Sequence, residues 1–318
     1  MTDDDIIDTF ITYFRGRGDC YGSAKGFCVK QPLSRAVFER HLKSTNPDDH
    51  IGVYCMLGEM CSWGCIDIDG KDFPSTTIDG HDWDKMRTLA RNLQTVLRAK
   101  GIIAHRERSK NGFHLWVFPD TPLIAARTMR RALMAACKAV GYDPKEVNPK
   151  ADGPRPGTQG LGNFVRLPCG GTLTEPRTDR VFEMDDAVAE QDVTFETWHT
   201  LRGQHERTLL ANLEAAAALW TPPPVAHNEV DYDAGLEAEP LLRNVDGKTF
   251  TVWKDGPLPG SDRSTTLARL AHLCYEQGLP ATHTFAIVKS ADVRWGGKFA
   301  NRADGLDQMA RIVENAYS

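Results

Sequence analysis

The chain has 318 residues, 41% of them hydrophobic and 25% charged, with a formal net charge of −5. That length suits one or two globular domains, and the composition supports an ordinary buried core. It excludes a bilayer-spanning chain, because no apolar run approaches the roughly 18 residues a crossing takes. The opening Met1-Thr2-Asp3-Asp4-Asp5 lacks the basic and apolar regions of a secretory signal, so a cytoplasmic protein is expected.

Residues 1–45 are predicted as helix, loop, helix. Ile6, Ile7, Phe10, Ile11 and Phe14 recur at helical spacing. Glycines punctuate the loop from Arg15 to Gly22, and Ser34 can cap a second helix reaching about Leu42. Residues 51–57 and 63–69 carry strand patterns, with Gly58-Glu59-Met60 as the turn of a hairpin. A helix from about Asp82 to Lys100 places Met86, Leu89, Leu93, Val96 and Leu97 on one face. Residues 102–106 and 112–118 form a second predicted strand pair, turned at Ser109-Lys110-Asn111-Gly112. A helix over 122–140 and a short strand over 162–168, ended by Pro168, complete the pattern.

This order predicts an α+β domain over 1–203, with a mostly antiparallel sheet and helices on one face. Residues 204–220 are predicted as a helix stopped by Pro222-Pro223-Pro224. The polar, proline-rich stretch to 260 is expected to be a linker. Residues 261–318 form a predicted small helical C-terminal domain, with Leu267, Leu270, Ala271 and Cys274 on one face and Met309, Ile312, Val313 and Ala316 on another.

Eight cysteines stand at 20, 28, 55, 61, 65, 137, 169 and 274 without a C-x-x-C pair. Cys61 and Cys65 have a spacing zinc could use, but no matching Cys/His pair follows, so free buried thiols in a reducing compartment are expected. Net negative charge does not bar nucleic acid, since a local groove can differ from the whole. Positive charge gathers at Arg106, Arg108, Lys110, Arg127, Arg130 and Arg131, then at Lys150, Arg155, Arg166, Arg177 and Arg180. For Arg127, Arg130 and Arg131 a solvated helix face is an equal reading.

Three segments carry candidate chemistry. In Cys65-Ile66-Asp67-Ile68-Asp69-Gly70, residues i and i+2 of a strand share a face, so Asp67 and Asp69 project together while the isoleucines face the core. Two carboxylates about 7 Å apart repel unless a cation lies between them, and hard oxygen ligands suit Mg²⁺ or Mn²⁺. A solvated acidic strand face is the plainer reading of that segment alone. In the second segment, Arg106 to Phe118, the Ser109–Gly112 turn offers amide, hydroxyl and ammonium donors to phosphate. His114 follows on the strand and shares a face with Trp116 and Phe118; a core histidine beside aromatics is the alternative. In the third, Glu146 can complete a carboxylate triad, and Lys150 and Arg166 can neutralise a triphosphate. Taken singly, these are equally a surface Glu, a surface Lys and an Arg at a strand edge.

Taken together and in order, these segments resemble the archaeo-eukaryotic primase superfamily. Its pattern is a strand with DxD, a later strand with a Ser-x-His-like motif, and a third strand with an acidic residue. The likeness is nearest to the phage, plasmid and conflict-system primase-polymerases, through Phe14-Arg15-Gly16-Arg17, Gly112 to Trp116, Glu146 to Lys150, and Gly162 to Pro168. It covers about residues 10–175. Trp295-Gly296-Gly297-Lys298-Phe299-x-x-Arg302 resembles the helical segment that follows such domains. The second motif has three residues between Lys110 and His114, and Glu146 stands where many members carry Asp.

The resemblance implies an α+β core with mostly antiparallel, RRM-like sheets flanked by helices. It implies a DNA primase-polymerase that makes or extends primers on single-stranded DNA from dNTPs or NTPs, in phage or plasmid replication. Two Mg²⁺ or Mn²⁺ ions would be held by Asp67, Asp69 and Glu146, with Ser109, Lys110, His114, Lys150 and Arg166 on the incoming nucleotide. The chain has no G-x-x-x-x-G-K-[ST] motor motif, so a helicase, fused or separate, is an implied partner. Two rivals remain: a metal-dependent nuclease, and a non-catalytic single-strand-binding replication protein. A nuclease needs no triphosphate site, and decay to a binder does not explain three retained carboxylates. A DxD glycosyltransferase leaves the Gly112–Trp116 segment unexplained.

Overall fold

The computed structural model describes residues 1–76, 80–144, 146–153, 163–175, 179–185, 190–221, 235–257, 262–302 and 304–317. Arg155, Gly162, Arg177 and Pro222 to Pro224, named from the sequence above, lie outside the described residues. The chain divides into two compact units, Met1–Pro222 and Pro223–Ser318. Among the described residues no helix is long and apolar enough to cross a membrane.

The first unit begins with α1 (Asp3–Phe14), started by a capping box in which Thr2 Oγ1 accepts from the Asp5 amide and the Asp5 carboxylate accepts from the Thr2 amide. A hairpin of β1 (Tyr21–Ser23) and β2 (Cys28–Val29) follows, then α2 (Arg35–Lys43). The next strands are β3 (Ile51–Val53), β4 (Met56–Leu57), β5 (Met60–Cys61) and β6 (Gly64–Asp69). Helix α3 (Trp83–Arg98) starts at Asp82, whose carboxylate accepts from the Lys85 amide. After it come β7 (His105–Arg108), β8 (Gly112–Val117), β9 (Ile124–Ala125) and α4 (Ala126–Ala139). The unit ends with β10 (Glu146–Asn148), β11 (Val165–Arg166), β12 (Val181–Asp185), β13 (Glu190–Val193), α5 (Phe195–Trp198) and α6 (Leu210–Ala218).

Among the described residues the strands form three sheets, all paired antiparallel. Their orders are β10-β6-β8-β7-β12-β13, β11-β3-β1-β2 and β4-β5-β9. This is an α+β fold with antiparallel sheets. The predicted hairpin between 51–57 and 63–69 is corrected. The turn at Gly58-Glu59 closes β4 on β5, while β3 and β6 lie in different sheets. The expectation of helices on one face alone is also corrected, because both faces of the long sheet are covered.

One face carries Ile66, Ile68, Phe113 and Leu115 into a core shared with Met86, Ala90, Leu93 and Leu97 of α3, Met129 and Leu133 of α4, and Leu213 of α6. The other carries Cys65 and Trp116 into a second core with Phe10, Tyr13 and Phe14 of α1, Ile51 and Val53 of β3, Val165 of β11, and Phe195 and Trp198 of α5. The strand alternation of β6 feeds both cores. All eight cysteines are free. Cys61 and Cys65 enter different cores, which rules out a shared zinc site for that pair.

The sequence reading of 204–260 as helix and linker also differs from the structure. Helix α6 belongs to the first unit's core. In the second unit, α7 (Ala238–Leu241) and α8 (Gly247–Asp255) pack with α9 (Arg263–Glu276), α10 (Ala281–Arg294) and α11 (Gly305–Tyr317). Leu241, Leu242, Val252 and Trp253 supply the apolar contacts that the polar average of 222–260 hides. Asp292 is buried and accepts from the amides of Phe299 and Ala300, which fixes the Trp295–Arg302 loop.

Candidate functional site

The register of the long sheet draws one row of side chains across four strands. Glu146 of β10 faces Asp67 of β6, Asp67 faces His114 of β8, and His114 faces Glu107 of β7. Directly paired residues share a face, so all four project to the same side. Asp69 joins Asp67 there, two residues along β6. The row lies at one end of the sheet, beyond the Trp116 layer of the core.

A cleft of about 240 Å³ opens over this row. It is lined by Asp67, Asp69, Ser109, Lys110, Asn111, His114, Glu146, Phe164, Val165, Arg166 and Arg180. Seven of the eight sequence-predicted site residues therefore meet in one place. Lys150 does not line the cleft; its Nζ stands 3.5 Å from Glu146 Oε1.

The turn of the β7–β8 hairpin is built to present donors. The Ser109 amide donates to the Gly112 carbonyl at 2.8 Å. The Asn111 carbonyl accepts from the Gly70 amide at 2.8 Å, tying the turn to the end of β6. Lys110 is exposed at its tip. Arg166 enters from β11 and donates to the Ala24 carbonyl at 2.7 Å, bridging to the β1–β2 hairpin.

Phe164 forms a wall of the cleft, and its seat is specific. Gly22 and Gly52 face each other across β1 and β3. A Cβ on either would stand 2.2 Å from the Phe164 ring. Only hydrogen at both positions lets the ring lie against the backbone, with Tyr54 at 5.5 Å closing its edge.

Each carboxylate already has a cationic or amide neighbour. Asp69 accepts from Lys71 Nζ at 2.5 Å and from the Lys71 amide at 3.1 Å. Glu146 accepts from Asn163 Nδ2 at 2.9 Å beside Lys150. Asp67 Oδ1 lies 3.6 Å from His114 Nε2. Burial pushes the Asp67 carboxyl above its ordinary range; His114 pulls it down while Asp69 and Glu146 push it further up. Burial also raises Asp69, but the ammonium and amide of Lys71 hold it below the usual range. For His114, burial favours the neutral ring, yet Glu107 and Asp67 together raise it. Arg166 is lowered by burial and then by the like charge of Arg180.

Among the described residues no three His, Cys, Asp or Glu side chains converge closely enough, as they stand, to cage an ion. The donor set nevertheless fits hard divalent cations. Three carboxylates on two paired strands face one cleft, where burial first and then the like charges of Asp69 and Glu146 push Asp67 up.

Several site residues escaped the sequence reading. Within Arg106-Glu107-Arg108 nothing in the sequence singles out Glu107, although counting back from the Ser109–Gly112 turn sets it opposite His114. For Arg180 the sequence offers only its charge. It stands just before β12 with φ +53°, a left-handed conformation uncommon for a side chain of its size. Asn163 belongs to the Gly162–Pro168 element of the resemblance without a role assigned to it, and Lys71 and Phe164 carry no recognisable signal. Arg130 of the suspected solvated run instead donates to the carbonyls of Val147 and Pro149, bracing β10 below Glu146. Arg131 pairs with Asp152.

A family model described as the archaeo-eukaryotic primase domain of TOTE conflict systems matches residues 24–205. No curated protein matches the chain. Among solved structures, a crystal structure of primase RepB′ aligns with 99% of this chain and 94% of its own at 12% identity. The TM-score of that alignment is 0.27, too low to bear on the fold. The family match spans most of the first unit and the whole carboxylate–histidine row, and the chain belongs to the archaeo-eukaryotic primase family of TOTE conflict systems.

Proposed function

We propose that the chain is a DNA primase-polymerase that joins nucleotides on a single-stranded DNA template, with the first unit as its catalytic domain. One observation carries this reading. The same cleft sets three carboxylates on paired strands against Ser109, Lys110, His114, Arg166 and Arg180. Carboxylates alone suit many metal-dependent hydrolases. The opposing donors suit a polyanion such as a nucleoside triphosphate, which a nuclease does not need to bind.

Asp67, Asp69 and Glu146 would hold two Mg²⁺ or Mn²⁺ ions. Such ions supply Lewis-acid activation of a primer 3′-hydroxyl and charge stabilisation of the leaving pyrophosphate. The chain's own residues do the rest. The Ser109–Gly112 turn offers its hydroxyl and ammonium to the phosphates. His114 Nε2 and Arg166 approach from the cleft floor and the β11 side. Phe164, seated on its two glycines, gives a rigid apolar wall for the sugar or base. Lys150 neutralises Glu146 rather than touching the nucleotide directly. A template strand, dNTPs or NTPs, and a fused or separate helicase in a cytoplasmic replication setting are the partners this reading implies.

The test is a synthesis assay on single-stranded DNA, with and without a primer, using Mg²⁺ or Mn²⁺ and labelled dNTPs or NTPs. The Asp67→Ala/Asp69→Ala protein runs beside the parent. Primer-independent products that vanish in the variant support a primase-polymerase. Extension from a primer alone narrows it to a polymerase. DNA degradation by the parent with no synthesis overturns the reading in favour of a nuclease.

A further inference from the structure

Glu107 is the one carboxylate of the row that does not line the cleft. It is completely buried, between the cleft floor and the aromatic core. Its Oε2 lies 2.9 Å from His114 Nδ1 and 2.6 Å from Trp116 Nε1. Its Oε1 lies 3.8 Å from Arg180 Nη1 and accepts no hydrogen bond from the described residues. An indole N–H can only donate, and a guanidinium can only donate. Glu107 therefore accepts at Oε2, with a guanidinium beside Oε1, and acts as an acceptor. The His114 contact is then a donation from Nδ1, which sets the plane of the ring and leaves Nε2 as the atom that faces the cleft, 3.6 Å from Asp67.

The anchor behind Glu107 is rigid. Trp116 is fully buried, with the Phe14 and Trp63 rings at 5.0 and 5.1 Å from its own. Its indole cannot turn without moving the core around it. A chain of contacts thus runs from the core through Trp116 and Glu107 to His114. The same carboxylate neighbours Arg180, a cleft-lining residue with strained backbone.

We propose that Glu107 is a positioning residue that fixes the tautomer and aim of His114 for the phosphates of the incoming nucleotide. The inference rests on the nucleotide reading of the cleft. Glu107 touches neither the nucleotide nor the metal ligands; it acts through His114.

Two measurements test it. In the ¹⁵N-labelled parent protein, the His114 imidazole is expected to carry a slowly exchanging proton on Nδ1. A ring protonated on Nε2 alone overturns the proposal, and this readout needs neither nucleotide nor variant. The second is equilibrium binding of a fluorescent nucleoside triphosphate in Mn²⁺ to the parent, Glu107→Gln, His114→Ala and the double variant. Glu107→Gln keeps the shape of the side chain but replaces one acceptor with a donor. It is expected to weaken binding about tenfold or more, and to cost nothing further once His114 is Ala. Parent-like affinity in Glu107→Gln, or an equal loss in both backgrounds, overturns the proposal. Failure of the parent itself to bind nucleotide instead overturns the reading of the cleft, and Glu107's role falls with it.

Discussion

The seat of Phe164 offers a sharp test of how closely the cleft wall is fitted. Replacing Gly22 with Ala places a Cβ 2.2 Å from Phe164 Cγ and 2.3 and 2.5 Å from its two Cδ atoms. Carbon atoms rest at about 3.5–4.0 Å, so the ring must move by about 1.5 Å or the strands must part. The neighbour cannot yield at its tip, because the contacts fall on the ring's near edge. Overpacking of this kind costs about 1–3 kcal/mol. In a domain of this size each kcal/mol lowers Tm by roughly 2–4 °C. Calorimetry of Gly22→Ala should therefore show a fall of about 4–8 °C for a mid-range cost of about 2 kcal/mol. Nucleotide affinity should fall with it, since the displaced ring has the cleft as its free direction. The decisive comparison is Gly22→Ala in a Phe164→Ala background, where the ring is gone and the added methyl should cost almost nothing. An equal penalty in both backgrounds would show that the strain lies in the β1–β3 backbone and not beneath the ring.

Four further outcomes follow from the same geometry. Asp67→Ala and Asp69→Ala should each abolish metal-dependent synthesis while leaving Tm within about 2 °C of the parent, since neither side chain packs in a core; normal extension by either variant removes it from the metal site. His114→Ala should raise the apparent nucleotide constant more than it lowers the maximal rate, and an unchanged constant in a primer-extension titration counts against its role. Arg106 and Glu183 form an ion pair on the α3 side of the sheet, with side chains 0% and 3% exposed and 2.8 Å apart. Glu183→Gln should cost about 3–5 kcal/mol in urea unfolding, because it removes the charge that pairs a buried guanidinium; a loss below about 1 kcal/mol would show that neutral acceptors such as Gln94 Oε1 satisfy Arg106 without it. His105 is buried between the Glu206 carbonyl and Trp198 Nε1, and burial lowers its pKa from 6.5 to about 4. The folded state then holds fewer protons than the unfolded chain within that window. Its contribution of about 3 kcal/mol is full above pH 6.5 and disappears as pH falls toward 4. His105→Asn should flatten the acid limb of the stability curve, and parallel curves for the two proteins would refute the assignment.

Much of the site was legible because strand alternation is simple. Asp67 and Asp69 between isoleucines, and the Ser109–His114 turn and strand, stand where the periodicity places them. Residues whose roles arise from pairing between distant segments were not legible. Glu107 acquires its role only when β7 folds back on β8, and Arg180 only when β12 closes beside β7. Strands of two or three residues, such as β1, β2, β4 and β10, are too short to show a period. The predicted helix over 122–140 begins at Ala126 because its first residues pair with β5. Turn chemistry at Gly58 was read correctly but attached to the wrong partners, because β4 and β5 are minimal strands inserted between two longer ones.

The two-faced character of β6 has a consequence for how errors in folding are handled. If the strand were set one position out against β8, Asp67 and Asp69 would enter the space now filled by Ile66 and Ile68, against Leu93 and Met129. Two carboxylates stranded there without partners would cost far more than the domain's margin of stability. Ile66 and Ile68 would at the same moment be turned out toward the cleft. A misthreaded chain is thus left sticky and unstable together, and it is open to proteases and chaperones before it can settle. The acidic residues proposed to hold metal would also act as a checkpoint, so that a chain with a wrongly built cleft does not persist.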